Sequence, residues 1–375
     1  MPPPRQYSGR GKRMKGIVVR MARTLSILFA CLLVALALRT EATSAPRLPA
    51  FQADLGQTTV SGLSSGAYMA GQFAVIHSSL VTGVGIVAGG PYYCAGHPGR
   101  PPFIAYLANA MSVCMNPEEA GAGPPDAPFL WQQAQAFARA GLIDDVSNLR
   151  RQSVYLFSGS ADRTVTTVVV DQARTFHALA GATRIRYRDN LNAGHGMVTA
   201  DSSDNPCPLT AAPYFNNCGL PLARELLGQL YPGLGRPSAR LSGTVLRFDQ
   251  RPYAGYSAGL DDVGFAYVPA VCRRETCRVH VAFHGCRQGA ALVGDHFYGR
   301  AGYNEAADAN HIIVLYPQVR TSRFYPYNPR GCWDFWGYSS ADPFQPDFHT
   351  REGSQVKAVF AMVQRLGQLR NAPHP

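Results

Sequence analysis

Three polar residues in the first half of the chain have the types and the order of a serine–acid–histidine triad. Ser64 lies at the centre of the pentapeptide Gly62-Leu63-Ser64-Ser65-Gly66, and Asp162 and His195 follow it along the chain. In this chemistry the histidine removes the proton of the serine hydroxyl, and the carboxylate holds the histidine in the correct orientation. The pattern therefore predicts a serine hydrolase with these three side chains as its catalytic residues.

The segments around Ser64 favour a strand-to-helix turn. Thr58–Ser61 predicts a short strand before the G-x-S-x-G pattern, and Ala67–Ile76 predicts a helix after it. A serine in such a turn projects from the end of a sheet, and the flanking glycines let the backbone turn without a clash. The pentapeptide alone would be a modest signal among 37 glycines, but this context indicates a nucleophile elbow.

The acid and the base follow predicted strands. Asp162 comes just after Val154–Gly159, and His195 lies in a glycine-containing loop after Thr183–Arg188. The order serine, acid, histidine is that of the α/β-hydrolases. Three other carboxylates compete for the role of the acid, although none follows a buried strand so closely and only the last ends a strand: Asp144, Asp145 and Asp189.

An oxyanion hole requires two backbone N–H donors near the serine. One belongs to the residue after the nucleophile, Ser65, and the other usually comes from an HG-containing turn after a strand. Such a turn ends the segment VHVAFHGC, in which Val279–Phe283 predicts a strand. In most α/β-hydrolases this strand precedes the serine, whereas here it follows the histidine.

This order of parts predicts a circularly permuted α/β-hydrolase. The strand Ile312–Tyr316 and the amphipathic helix Gly353–Leu366 follow the HG turn, although they would normally precede the elbow. Moving residues 240–370 ahead of residue 50 restores the usual order, and neighbouring termini make such a permutation tolerable. The alternative is two independent domains joined by the segment after Tyr231, with an incidental HG turn.

The remaining segments alternate between predicted strands and helices, which indicates a mostly parallel sheet covered on both faces. Gly89–Pro128 and Asp201–Leu220 are predicted as cysteine-stapled loops, and Phe297–Asn310 is predicted as one helix. The other predicted strands are Val81–Ala88, Arg184–Tyr187, Thr244–Phe248 and Gly264–Val268, and the other predicted helices are Phe129–Leu142, Thr166–Leu179 and Pro221–Leu230.

The positive charge of the chain is concentrated near its start. The formal net charge is +11, and residues 1–45 hold eight basic residues and one acidic residue. The basic stretch, the apolar run Thr24–Leu38 and the small residues that follow predict a signal peptide over 1–45, with Met21 as an alternative start. The run is shorter than the roughly 20 residues of a membrane span, so we expect no stable membrane anchor. The remaining charge gives no indication of nucleic-acid binding.

Eight cysteines remain after the predicted leader, which contains Cys31. An even number in an exported chain indicates disulfides, although the sequence does not prove their connectivity. The alternative is zinc binding, which the lack of a C-x-x-C pair disfavours. Proximity in sequence favours three pairs and leaves two cysteines over: Cys94–Cys114, Cys207–Cys218 and Cys272–Cys277, with Cys286 and Cys332 remaining.

Five motifs together resemble a known family. GLSSGAYMAGQF, SGSADRTV, AGHGMV, VAFHGCRQGA and NPRGCWDFWGY are similar to motifs of the extracellular poly(3-hydroxybutyrate) depolymerases with a type 2 catalytic domain. The resemblance covers nearly all of residues 50–370. It implies a single circularly permuted α/β-hydrolase domain over 46–375, with a mostly parallel central sheet and disulfide-stapled loops.

The resemblance also implies roles for individual residues. Ser64 would be the nucleophile, His195 the base and Asp162 the acid that orients it, while the amides of Ser65 and Cys286 would bind the oxyanion. The implied reaction is hydrolysis of poly(3-hydroxybutyrate), or of related short-chain-length polyhydroxyalkanoates, to 3-hydroxyacid oligomers or monomers through an acyl-enzyme.

Two further predictions come from the NPRGCW motif. In the family the cysteine of the HGC turn is bonded to the cysteine of GCW, which implies a disulfide between Cys286 and Cys332 that makes the oxyanion turn rigid. Trp333 and Asn328 match family positions that contact the polyester, so both are predicted substrate-binding residues.

The expected partner is a neutral polyester, because the chain has a low content of charged residues, 16%, and scattered aromatic residues. We expect an amorphous or oligomeric substrate, since no separate substrate-binding domain is predicted. We also expect a secreted or periplasmic monomer that needs no metal or organic cofactor. The alternatives are a carboxylesterase for feruloyl, acetyl or soluble hydroxyacid-oligomer esters and an exported, non-catalytic binding protein, against which the intact triad argues.

Overall fold

The computed structural model describes residues 1–4, 45–96, 102–342 and 344–370. Apart from its first four residues and its last, the predicted signal peptide lies outside the described residues, as does Cys31. Residues 46–375 form one structural unit, which contains every helix and strand named below. Within the described ranges, no helix combines the length and the apolar character that a bilayer span requires.

Eight strands form a central sheet, and three short strands form a second sheet. The strands are β1 (Asp54–Leu63), β2 (Val81–Val87), β3 (Ser153–Gly159), β4 (Arg184–Leu191), β5 (Met197–Thr199), β6 (Asn205–Pro206), β7 (Phe215–Asn217), β8 (Thr244–Asp249), β9 (Val263–Val268), β10 (Arg278–Phe283) and β11 (Ile312–Tyr316).

The central sheet has the order β4-β3-β2-β1-β10-β11-β9-β8. Strand β1 lies in the middle and pairs in parallel with β2 on one side and β10 on the other. The other pairs are also parallel, except for β11–β9 and β9–β8 at one edge. Because Ser64 follows β1, Asp162 follows β3 and His195 follows β4, the parallel pairing brings all three segments to the same edge of the sheet.

The helices agree with the predicted ones except in three places, the first of which is the short helix Ala290–Val293, where none was predicted. The predicted loop Gly89–Pro128 contains a helix, because good helix formers follow Pro102 within this Gly- and Pro-rich segment. The predicted helix Phe297–Asn310 is two short helices, since Gly302, with a φ of 88°, interrupts it. The helices are α1 (Ser65–Ile76), α2 (Pro102–Met111), α3 (Ala127–Arg139), α4 (Thr167–Leu179), α5 (Leu222–Leu230), α6 (Ala290–Val293), α7 (His296–Arg300), α8 (Tyr303–Asp308) and α9 (Ser354–Gly367).

The two halves of the chain meet in one sheet. Strands β8 to β11, which come after residue 240, all lie on one side of β1. Strands β2 to β4 lie on its other side. Gly62 pairs with Phe283, so the elbow strand and the HG-turn strand end together. The N–H groups of Phe51 and Ala53 each donate to Leu366 O at 3.0 Å, which places the end of α9 against the start of β1. Strands from both halves of the chain therefore form one sheet, with the topology of a circularly permuted α/β-hydrolase.

The eight cysteines after the leader form four disulfides, and the pairs are the predicted ones. Cys94–Cys114 encloses α2, and Cys207–Cys218 closes the loop that follows His195. Cys286–Cys332 joins the HG turn to the segment after β11. Sulfurs joined in disulfides are not available as the thiolate ligands that zinc requires. The four pairs are Cys94–Cys114, Cys207–Cys218, Cys272–Cys277 and Cys286–Cys332.

Among the residues that the structure describes, five histidines other than His195 are buried and remain neutral at physiological pH. Burial disfavours the charged imidazolium and therefore lowers the pKa of a histidine. It lowers the pKa of each ring well below its usual value of 6.5: to about 4 for His77, His177 and His284, and to about 3 for His280 and His349.

Acid is expected to destabilise the fold as the pH falls from 6.5 towards 4. In this range the unfolded chain protonates these five histidines while the folded chain keeps them neutral, so unfolding takes up protons. At pH 5, each buried ring should lower the unfolding free energy by about 2 kcal/mol relative to its value at pH 8. Urea unfolding between pH 8 and pH 5 measures this loss. His177→Leu should make the dependence shallower, and equal unfolding free energies at both ends would contradict the prediction.

Candidate active site

Ser64 lies between β1 and α1 in a backbone conformation that few non-glycine residues adopt. Its φ is 56° and its ψ is −124°. Such a conformation costs roughly 1–3 kcal/mol and persists only where the surroundings fix it. Here the Ser64 N–H donates to Val87 O at 2.9 Å, and Ser64 O accepts from the amides of Ala67 and Tyr68. This strained strand-to-helix turn has the geometry of a nucleophile elbow.

Two glycines of the pentapeptide are required by close backbone contacts. A Cβ atom at Gly62 would lie 2.2 Å from Gly66 O, and a Cβ atom at Gly66 would lie 2.3 Å from Phe283 O and 2.4 Å from His284 O. The first contact closes the turn, and the second packs the start of α1 directly against the end of β10. Gly62 is therefore required for a close contact within the elbow, and Gly66 is required for a close contact with the HG turn.

Gly66→Ala is expected to destabilise the protein by about 1–3 kcal/mol and to lower its activity, because the new methyl group must push α1 away from β10. Gly71→Ala in the same helix is the matched control, since its Cβ would meet only Ile86 Cδ1, at 3.9 Å. The control should be neutral or slightly stabilising. Urea unfolding and ester hydrolysis of both variants measure the difference, and equal behaviour of the two would contradict the close contact at Gly66.

Asp162 and His195 are directly hydrogen-bonded. Asp162 Oδ2 accepts from His195 Nδ1 at 2.7 Å. The other carboxylate oxygen, Oδ1, accepts from the amides of Thr164 and Val165 at 2.7 and 2.9 Å. The carboxylate is therefore fixed in place, holds the proton on Nδ1 and leaves the lone pair on Nε2. This is the tautomer that a general base needs.

The loop that carries His195 is hydrogen-bonded to the segment that follows it, which the disulfide Cys207–Cys218 closes. The His195 N–H donates to Thr210 Oγ1 at 2.8 Å. The Gly194 N–H donates to Cys207 O at 2.8 Å, and Gly194 O accepts from Nδ2 of the Asn216 side chain at 3.1 Å. The loop predicted from its cysteines is therefore a support for the histidine.

The three competing carboxylates have other partners or lie on the surface. Asp144 accepts from the Ser79 amide at 2.8 Å, and Asp145 accepts from the Ser147 amide at 2.8 Å. Asp189, in β4, is exposed. Of the carboxylates that the sequence offered as the acid, Asp162 is the one hydrogen-bonded to His195.

Two backbone amides beside the elbow lack a protein acceptor. Over the described ranges, neither the Ser65 N–H nor the Cys286 N–H donates to a protein oxygen. A Cβ atom at Gly285 would lie 3.4 Å from Ser64 Cβ, so the HG turn reaches the elbow. The Ser64 hydroxyl makes no hydrogen bond to the described residues either. The site thus combines an unengaged hydroxyl with two unengaged donors, which is what acyl transfer requires.

The segment 332–335, called the brace below, is connected to both backbone elements that carry these amides. Cys332 is bonded to Cys286 in the HG turn, and the Trp333 N–H donates to Ser65 Oγ at 3.2 Å. A single segment therefore holds the turn and the start of α1, which carry the two amides.

Asp334 fixes the conformation of this segment, although it was not among the site residues predicted from the sequence. Its carboxylate accepts from four backbone N–H groups and from the Ser339 hydroxyl, at distances of 2.6–3.2 Å. Burial raises the pKa of Asp334, while these hydrogen bonds act in the opposite direction. An aspartate before Gly and Ser is a turn signal in sequence, but its burial depends on tertiary packing.

The two predicted substrate-binding residues are buried in this structure. The Trp333 side chain is 0% exposed and packs edge-on against Phe283 with ring centroids 4.9 Å apart. Asn328 is also buried, and its amide group donates to Cys332 O and accepts from Cys332 N, both at 2.9 Å. Both side chains stabilise the brace from within, and neither lines an open crevice.

The sheet order, the elbow and the Asp–His pair define a circularly permuted α/β-hydrolase with a serine-type site. No protein-family model matches the chain. The chain is 38% identical over 330 residues to a poly(3-hydroxybutyrate) depolymerase from Delftia acidovorans, covering 86% of this chain and 62% of that protein. It is 32% identical over 353 residues to a polyhydroxybutyrate depolymerase from Talaromyces funiculosus, covering 88% of this chain and 95% of that protein.

Two solved structures have the same fold, and each is 31% identical over 86% of this chain and 98% of its own. One is a PHB depolymerase from Penicillium funiculosum, with a TM-score of 0.75. The other is a serine-to-alanine variant of a PHB depolymerase complexed with an R3HB trimer, with a TM-score of 0.74. The chain belongs to the polyhydroxybutyrate depolymerase family, although it spans less than two thirds of the Delftia relative.

Proposed function

We propose that this chain is an exported serine esterase that hydrolyses the ester bonds of poly(3-hydroxybutyrate) or related short-chain-length polyhydroxyalkanoates. The observation that carries the proposal is the strained Ser64 elbow at the same sheet edge as the 2.7 Å hydrogen bond between Asp162 and His195. Family membership supports the polyester as substrate, because one solved relative binds an R3HB trimer.

In the first half of the reaction, His195 Nε2 removes the proton of the Ser64 hydroxyl as its oxygen attacks an ester carbonyl. The serine–histidine hydrogen bond forms when substrate binds, since catalytic hydrogen bonds often tighten only then. The amides of Ser65 and Cys286 donate to the oxyanion of the tetrahedral intermediate. Asp162 stabilises the imidazolium that results.

Acylation is completed when the C–O bond to the rest of the polymer breaks and the protonated His195 donates its proton to the leaving alkoxide oxygen. The 3-hydroxyacyl group remains bonded to Ser64 as an ester. In deacylation, His195 removes a proton from water as the water oxygen attacks this ester. Collapse of the second tetrahedral intermediate then breaks the bond to Ser64 Oγ, which takes the proton back from His195 as a 3-hydroxyacid or its oligomer is released. Each proton transfer is assigned to a side chain of this chain, which we propose acts as a monomer.

Export follows from the leader predicted over residues 1–45 and agrees with the four disulfides, because disulfides persist mainly in oxidising compartments. N-terminal sequencing of the protein recovered from the producing cells tests this part. A mature chain that begins near residue 46 is expected, and a protein that retains residues 24–38 would contradict it.

The substrate is tested by the clearing of polymer suspensions. Purified protein is mixed with amorphous and with crystalline poly(3-hydroxybutyrate), and in parallel with a p-nitrophenyl ester and a feruloyl ester. We expect the amorphous polymer to clear and Ser64→Ala to leave it turbid. Cleavage of the small esters without clearing of either polymer would overturn the depolymerase function, and a preference for the feruloyl ester would favour a different esterase.

A further inference from the structure

Gln288 is a buried polar side chain that the proposed mechanism does not use. It lies two residues after Cys286 and is 1% exposed. Its Oε1 accepts from the Gly285 N–H at 2.9 Å. Its Nε2 donates to Tyr214 O at 2.9 Å and to Pro213 O at 3.3 Å. One side-chain amide therefore connects the HG turn with the segment just before β7.

Tyr214, to which Gln288 donates, also contacts the loop that carries His195, called the histidine loop below. Tyr214 O also accepts from the Met197 N–H at 2.8 Å, two residues after His195. A Cβ atom at Gly196 would lie 2.9 Å from the same carbonyl oxygen, so the two segments are in direct contact. A displacement of Tyr214 would therefore be transmitted to the residues next to the base.

In the HG turn, Gln288 hydrogen-bonds to one backbone N–H and leaves the next one without an acceptor among the described residues. Gln288 occupies the Gly285 N–H, while the next donor along the chain, Cys286 N–H, has no acceptor within the described residues. The turn is tight, since Arg287 has a φ of 63° and its N–H donates to Arg330 O at 2.7 Å. The glutamine thus fixes the orientation of the peptide group directly before the proposed oxyanion donor.

We propose that Gln288 is a positioning residue that holds the Cys286 N–H at a fixed place relative to His195. The inference rests on the proposed function, because it assigns the Cys286 amide to the oxyanion hole. The brace at 332–335 holds this turn against α1, whereas Gln288 holds it against the histidine loop. The two proposed halves of the site, oxyanion donor and base, are thereby connected through one side chain.

A glutamine suits this place because it both accepts and donates. A methionine of similar size would leave the Gly285 N–H and the Tyr214 carbonyl without partners, and unsatisfied buried groups are costly. A carboxylate would keep the acceptor but would face the carbonyl oxygens of Pro213 and Tyr214 with a negative charge. Removing either function should let the turn and the histidine loop shift relative to each other.

The test compares Gln288→Met with Gln250→Met. Gln250, just after the edge strand β8, is also buried, at 0% exposed, and also accepts from one N–H and donates to two carbonyls. The control therefore loses the same kinds of hydrogen bond, outside the proposed site. For both variants, kcat and KM are measured on a p-nitrophenyl ester, together with the thermal midpoint and the Ki of a trifluoromethyl ketone, whose adduct carries an oxyanion.

We expect Gln288→Met to lower kcat by roughly 10- to 100-fold with KM nearly unchanged. The Ki of the trifluoromethyl ketone should rise in parallel. Gln250→Met should lose thermal stability but keep kcat. A kcat near that of the wild type for Gln288→Met, an equal loss in both variants or an unchanged Ki would overturn the inference.

Gln288→Glu gives a second measurement that does not depend on the folding of Gln288→Met. When protonated, the introduced carboxyl can again accept and donate, and burial raises its pKa. Its kcat relative to the wild type should therefore rise as the pH falls from 9 to 6, and a ratio independent of pH would contradict the proposal. The neighbouring ionisable groups are Arg287, whose Nη1 donates to the Tyr214 hydroxyl at 3.2 Å, and His284, whose pKa burial lowers to about 4.

Failure of the inference is distinguishable from failure of the proposed function. If the wild type cleaves the ester and Ser64→Ala does not, the function stands whatever the Gln288 variants do. If the wild type cleaves no ester, the function itself fails.

Discussion

Ser64→Ala is expected to lower kcat for ester hydrolysis by roughly 10⁵- to 10⁶-fold, which is the loss seen when a serine nucleophile is removed. Alanine retains the Cβ atom and the backbone of the elbow but cannot form an acyl-enzyme. The N–H and carbonyl groups that fix the elbow belong to the backbone, so the fold should be unaffected. The measurement is kcat on a p-nitrophenyl ester, with a thermal melt to establish folding.

Ser160→Ala is the control for this variant. Ser160 lies at the same edge of the sheet, two residues before Asp162, and its hydroxyl donates to Leu191 O at 3.2 Å. It should keep nearly full activity. If Ser64→Ala remained active while folded, Ser64 could not be the nucleophile, and the serine esterase account would be wrong.

Asp162→Asn is expected to lower kcat by about 10⁴-fold, because the amide can present its N–H₂ to His195 and favour the wrong tautomer. The side chain keeps an oxygen for the amides of Thr164 and Val165, so the loop should retain its shape. The loss should therefore appear in kcat and in the rate of fluorophosphonate labelling, without a comparable loss of stability.

Asp189→Asn is the matched control, because Asp189 was a competing candidate and is exposed in β4. It should behave like the wild type in both assays. Full activity of Asp162→Asn, or a large loss in Asp189→Asn, would place the acid of the triad elsewhere.

The elbow was predictable from sequence because its signals are local. Gly62, Ser64 and Gly66 lie within five residues, and the strand and helix that flank them have clear hydrophobic patterns. Asp162 and His195 were predictable because parallel strands bring their carboxyl ends together, so position after a strand is enough to propose a shared site. The permuted order was also visible, since the HG turn comes after the histidine.

The packing around the site was less predictable, because it depends on contacts between distant segments. The burial of Trp333 against Phe283 brings together residues 50 positions apart, and nothing local to NPRGCW distinguishes a buried indole from a crevice wall. The contact between Gln288 and Tyr214 is of the same kind. The interruption at Gly302 was missed because an isolated glycine in a helical pattern is often tolerated.

The central claim is that Ser64 is the nucleophile of an esterase site that Asp162 and His195 complete. Its most direct test is to treat the purified protein with a fluorophosphonate, digest it and locate the adduct by mass spectrometry. The account predicts one adduct, on Ser64, that forms much more slowly in Asp162→Asn. An adduct on another residue, or a protein that hydrolyses esters but carries no adduct on Ser64, would contradict it.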